Sequence, residues 1–104
     1  MDLNQVIYKH TASLPKEETY GLISQMRRAA VSISANIAEG QARNSTGEFL
    51  QFLGIAKGSL AELETLIILS QNLNFLNKED SVDLLNFSTE INKMLHALQK
   101  ALKN

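Results

Sequence analysis

The sequence has no cysteine, no tryptophan and a single proline, with two tyrosines and four phenylalanines in 104 residues. The absence of cysteine excludes disulfides, thiol catalysis and thiolate zinc sites, and it suits a reducing compartment. One proline and five glycines leave long stretches without a helix breaker. Charge of either sign is also scarce. Ten Lys and Arg stand against eleven Asp and Glu, a formal net charge of -1. There is thus no global pull toward nucleic acid or membrane, and any nucleic-acid site must be a local patch. No basic-then-apolar leader opens the chain, and no apolar run is long enough to span a bilayer. The expected location is the cytoplasm, with no membrane partner.

What is present is helical patterning. Hydrophobic residues make up 44% and charged residues 20%, the balance of an ordinary globular domain. The length suits one domain, residues 1–104. Apolar residues recur with a period near 3.6, which predicts an all-α fold. Leu3, Val6, Ile7 and His10 mark one face of a short first helix, about 3–13. Pro15-Lys16-Glu17-Glu18 opens a second, about 15–42, with Pro in its first turn and acids at its positive end. Its stripe is Leu22, Met26, Ala29, Ala30, Ile33 and Ile37. Gly40 to Asn44 is the expected break. Ser45-Thr46-Gly47-Glu48 has capping-box form and starts a third helix, about 46–73. Its stripe is Phe49, Phe52, Leu53, Ala56, Leu60, Leu63, Ile67 and Ser70. Asn77, followed by Lys78, Glu79 and Asp80, caps a fourth helix, about 78–102. There Leu84, Phe87, Ile91, either Met94 or Leu95, Leu98 and Leu102 face inward, and Lys100 and Lys103 suit its negative end.

Short connections between long helices imply an up-down antiparallel four-helix bundle with a shortened first helix. Half of the core then lacks one wall. Either a neighbouring subunit supplies that wall, or that half closes on three helices.

The segment RRAAVSISANIAEG, residues 27–40, adds a second organised face. On a helical wheel Arg28, Ser32, Asn36 and Glu39 fall within an arc of roughly 80°. In the third helix Gly54, Gly58 and Glu62 repeat at four-residue spacing beside Ser59. A glycine inside a helix costs about 1 kcal/mol relative to alanine, which suggests a close backbone approach. The second helix, at Ala29, Ser32 or Ala35, is the natural neighbour. Gln25, Arg28, Ser32, Asn36, Glu39, Gly58, Ser59 and Glu62 are therefore the expected polar network or interface. A network of this kind fixes helix register only if its members are paired.

No catalytic constellation emerges. His10 and His96 lack a partner at HxxxH or ExxH spacing and are expected at the surface or the edge of the core. Ser32 and Ser34 lack a GxSxG or SxxK context. Glu39 and Glu62 have no histidine to complete a metal site. Gly54 and Gly58 lie inside a helix with no preceding strand, unlike a phosphate loop. The expectation is a non-enzyme with no cofactor, metal or small-molecule substrate. Arg27, Arg28, Arg43 and Lys57 are a separate matter. From 27 to 57 the only acids are Glu39 and Glu48, so these four are the candidate contacts to RNA or DNA. Repeated around a ring, a modest excess of this kind would attract a phosphate backbone.

QMRRAAVSISANIAEGQAR followed by FLQFLGIAKGSLAELETLI resembles the four-helix-bundle proteins encoded in intervening sequences of bacterial 23S ribosomal RNA genes. The likeness runs from about Tyr8 to about Leu102. It also extends to the accessory variability protein of diversity-generating retroelements, a related bundle that forms a pentameric barrel and binds nucleic acid. The resemblance implies an up-down bundle and a homo-oligomer, with a pentamer favoured. It gives Gln25, Arg27, Arg28, Ser32, Asn36, Glu39, Gly40, Gly58, Ser59 and Glu62 as motif positions without a catalytic role. This chain departs from the pattern in its shorter first helix and in being less basic than members that bind nucleic acid well. Two functions are therefore expected, a homo-oligomeric interaction scaffold and, as the alternative, an RNA- or DNA-binding adaptor.

Overall fold

A computed structural model describes residues 3–11 and 21–103, which form four helices: α1 (Leu3–Thr11), α2 (Leu22–Gln41), α3 (Thr46–Asn72) and α4 (Lys78–Lys103). Their boundaries follow from local chemistry. Ser45 is extended, and its Oγ accepts the Glu48 N–H at 3.1 Å, which opens α3. Asn77 Oδ1 accepts the Asp80 N–H at 2.7 Å and opens α4. Glu79 and Asp80 then lie at its positive end and Lys100 and Lys103 at its negative end. A Schellman turn closes α3. The Phe75 N–H reaches the Ser70 carbonyl at 2.8 Å and the Asn74 N–H reaches Gln71 at 3.0 Å. Asn74 makes this turn with a left-handed backbone, φ 62°.

One expected boundary moves. The second helix does not run unbroken from Pro15, because Gly21 leaves helical geometry at φ -101°, ψ -112° and α2 starts at Leu22. The expected helical residues 12–13 and 15–20 lie outside the described part. At the other end α2 passes through Gly40 to Gln41 and the chain turns at Ala42, close to the expected end.

Packing closes a square. α1 touches α2 and α4, α3 touches α2 and α4, and the diagonal pairs do not meet. The ends of α1 fix its direction. Asn4 Nδ2 donates to Ser34 Oγ at 3.3 Å, and Arg27 Nε donates to Thr11 Oγ1 at 3.2 Å, so α1 and α2 are antiparallel. Ile7, Met26, Ile33, Leu53, Leu60, Leu63, Ile67, Leu84 and Leu95 are fully buried. Leu95 takes the core position that it shared as a candidate with Met94, which is 47% exposed. Ile23 and Leu66 are also buried, which widens the expected stripes.

The molecule is 44 Å long. At 1.5 Å per residue α1 covers only about 14 Å, against about 40 Å for α3. Beyond Leu3 the fourth corner opens into an apolar cleft, where Leu3, Ile33, Ile37, Phe87, Ile91 and Met94 line the wall. This is the missing wall expected from the length of the first helix. At that end α2 and α3 lie close together near Gly40. A Cβ there would stand 2.8 Å from Phe49 Cδ1 and 2.9 Å from Phe52 Cβ. Only glycine lets the end of α2 lie this close to the start of α3.

Candidate interaction surface

Helical spacing brings Ser32 and Asn36 onto one side of α2, facing Ser59 of α3. The Ser32 and Ser59 hydroxyls lie 2.8 Å apart and share a hydrogen bond. The Asn36 amide donates to the Ser32 carbonyl at 2.7 Å and to Ser32 Oγ at 3.1 Å. These three form the polar seam. No histidine, lysine or carboxylate bonds to either hydroxyl among the described residues, so neither has a base to activate it. The seam links α2 to α3 through the Ser32–Ser59 hydrogen bond.

The other expected members do not join it. Glu39 pairs within its own helix turn, accepting from Arg43 Nη2 at 2.6 Å, and Arg43 also lies 3.6 Å from Glu48. Arg28 and Glu62 are exposed and make no ion pair among the described residues, so the expected pairing of arginine with Glu62 is not formed. Gln25 is likewise exposed. Gly54 and Gly58 correct the expectation of a close approach by α2. Both are exposed, and a Cβ on either would meet nothing within 4 Å. The glycine that permits close helix contact within the chain is Gly40.

The four candidate cations are also unequal. Arg27 is half-buried, with its guanidinium 4.2 Å from the centre of the Tyr8 ring and its Nε on Thr11, so it ties α1 to α2. Arg43 is held between Glu39 and Glu48, 5.0 Å from the Phe52 ring centre. Lys57 is half-buried beside exposed Gly58, and Arg28 is the exposed member without an ion pair among the described residues.

The outward side of α3 carries a surface that the apolar stripe did not disclose. From Gly54 to Asn72 its exposed residues are Gly54, Ile55, Gly58, Ala61, Glu62, Thr65, Ile68, Leu69 and Asn72. Only one of them is charged. Ile55 is 51% and Ile68 48% exposed, and Val31 on neighbouring α2 is 48% exposed. The outward side of α4 is more polar, with Asp83, Asn86, Glu90, Asn92, Lys93, His96 and Lys100 in solvent beside exposed Val82 and Met94. The signal was readable as apolar residues on every side of the third helix, off as well as on its stripe.

No helix of the described residues is long and apolar enough to cross a membrane. None of the curated proteins matches the chain. Among solved structures it is similar to a protein of unknown function from the S23 ribosomal protein family of Bacteroides thetaiotaomicron VPI-5482, at 28% identity and TM-score 0.77, over 94% of this chain and 85% of that one. The model of the 23S rRNA-intervening sequence proteins matches residues 1–97, and the chain belongs to that family.

Proposed function

We propose that this protein is a non-enzymatic scaffold that acts as a cytoplasmic homo-oligomer, with a pentamer as the expected assembly. The observation that carries the reading is the outward side of α3. A helix that is apolar on all sides is normally buried on all sides. Here one side, over about five turns, presents isoleucine, leucine, alanine and two glycines to solvent. Contiguous apolar surface of this kind marks an interaction site. Gly54 and Gly58 give it a smooth centre where a partner backbone can approach, which accounts for two glycines that serve no contact inside the chain.

The charge arrangement supports the scaffold over the RNA- or DNA-binding adaptor. Arg27 and Arg43 already have partners within the chain, and Glu62 lies on the same exposed side of α3 as Gly58.

Light scattering behind size exclusion, with absorbance at 260 and 280 nm, tests both readings. The expected result is protein alone at several times the 11.5 kDa chain mass, and five times if the ring has five members. A nucleic-acid absorbance that disappears in high salt would transfer the function to the adaptor, and a monomer would remove the scaffold. Ile55→Glu with Ile68→Glu is expected to yield a folded monomer, because both side chains stand in solvent within the chain. Gly58→Ala distinguishes the roles of that glycine by sign. With open space around it, alanine should stabilise an isolated bundle by about 1 kcal/mol. In a close subunit contact the same methyl should weaken assembly.

A further inference from the structure

At the end of the bundle where α1 finishes, three potential metal ligands converge from two helices. His10 stands in the last turn of α1, and Asp80 and Asp83 stand three residues apart on one side of α4. One ligand atom from each lies within 4.8 Å of the other two, and His10 Nε2 is 3.7 Å from Asp80 Oδ1.

The histidine is already set for coordination. Its Nδ1 lies 2.8 Å from the Val6 carbonyl, which can only accept, so Nδ1 carries the hydrogen. In the neutral ring Nε2 therefore presents its lone pair toward the carboxylates. A backbone carbonyl on the far ring nitrogen is the usual outer-sphere support of a metal-binding histidine. The side chain of His10 is only 15% exposed, which limits its alternatives.

The carboxylates are equally uncommitted. The cap of α4 is supplied by Asn77, which leaves the Asp80 side chain free of that task. No lysine or arginine pairs with Asp80 or Asp83 among the described residues. Among the described residues, two like charges thus face one imidazole without a lysine or arginine counter-charge. We propose that His10, Asp80 and Asp83 form a binding site for a divalent first-row transition ion of the zinc type, bridging α1 and α4.

The dimensions fit with little movement. Zinc bonds of about 2.0–2.1 Å in a tetrahedron place neighbouring ligand atoms about 3.4 Å apart. The His10–Asp80 separation is already close to this value. Asp83 is exposed and free to rotate inward. One imidazole and two carboxylates leave a fourth position for water, and the mixed nitrogen and oxygen set favours a transition ion over magnesium. Neither histidine has a metal-spaced partner in its own helix, because the other ligands come from the far end of the chain. Bound there, the ion would anchor the shortest helix to the helix it touches least.

The test is calorimetric titration of chelator-treated protein with zinc chloride, together with thermal melting with and without zinc. The expected result is one ion per chain and a higher Tm, with affinity falling at least about tenfold in both His10→Gln and Asp83→Asn. Among the described residues Asp83 makes no hydrogen bond or ion pair beyond this cluster, so Asp83→Asn should keep the helical circular dichroism of the parent. Cobalt in place of zinc should give visible absorption of tetrahedral intensity, lost in the same variants. Absence of both heat and Tm shift would overturn the site. So would binding that persists unchanged in both variants, or a Tm shift of equal size with magnesium.

Discussion

The two ends of this bundle are made by the same long helices and differ in whether α1 is beside them. Where α1 is present, Ile7, Met26, Leu63, Ile67 and Leu84 are almost wholly out of solvent. Small polar residues there complete the packing by bonding to their own helices. Thr11 Oγ1 reaches the Ile7 carbonyl at 2.7 Å, Ser70 Oγ reaches Leu66 at 2.8 Å and Ser81 Oγ reaches Asn77 at 2.9 Å. At the other end Leu53 is fully buried, but Ile37, Phe49, Phe87, Ile91, Leu98 and Leu102 are only half-buried. The residue types are as apolar at one end as at the other. What differs is the number of walls, so burial at the three-helix end is limited by architecture rather than by sequence.

The largest effect expected from this comparison is in core truncation. Leu63→Ala, at a fully buried site in the four-helix part of the bundle, should cost about 3–5 kcal/mol. Leu98→Ala, half-buried at the open end, should cost about 1–2 kcal/mol. Urea unfolding followed by far-UV circular dichroism measures both. Equal losses would show that the open end is covered in solution and would make the cleft an interface.

Gly40→Ala comes next and acts only at the three-helix end. Its Cβ would enter within 3 Å of both Phe49 and Phe52, so either α2 or α3 must shift. The expected loss is about 1–3 kcal/mol despite alanine's better helix propensity. Gly54→Ala and Gly58→Ala are the controls, because both have room for a methyl group within the chain. A loss at all three would place a subunit contact over α3.

These contrasts show why some of the molecule was legible and some was not. The stripe of α3 from Leu53 to Ser70 follows a strict helical period, and a period needs no knowledge of partners. Ser45 and Asn77 were readable for the same reason, since a cap bonds three residues ahead. The role of a glycine depends on what faces it. Gly54 and Gly58 had the more suggestive spacing, yet Gly40 makes the contact. The polar seam was partly readable: Ser32, Asn36 and Ser59 meet, while Glu39 pairs with Arg43 just past the end of its helix. His10 with Asp80 and Asp83 was not readable, because nothing local joins opposite ends of the sequence.

Arg27→Ala should have a smaller effect, confined to the end where α1 packs. It removes the Thr11 hydrogen bond and the stacking on Tyr8, for a loss of about 1–2 kcal/mol. Hydrogen exchange should speed up in α1 before it changes in α3 or α4. Uniform acceleration would mean that α1 unfolds only with the whole bundle.

The smallest effect tests the turn that closes α3 at the four-helix end. Asn74 holds φ 62°, a conformation that costs a residue with an ordinary side chain about 1–2 kcal/mol and asparagine less. Asn74→Ala should therefore lose about 1 kcal/mol. Asn74→Gly should gain a few tenths at most, since relief of strain is offset by the greater freedom of glycine in the unfolded chain. The Phe75 and Leu76 amides, which bond to the Ser70 carbonyl at 2.8 and 3.2 Å, report the change by hydrogen exchange. Faster exchange at these two amides in Asn74→Ala, with Leu98 and its neighbours unaffected, would show that the ends of the bundle open independently. Matching acceleration at the three-helix end would show that the long helices transmit the loss, and that the two ends are one cooperative unit despite their unequal walls.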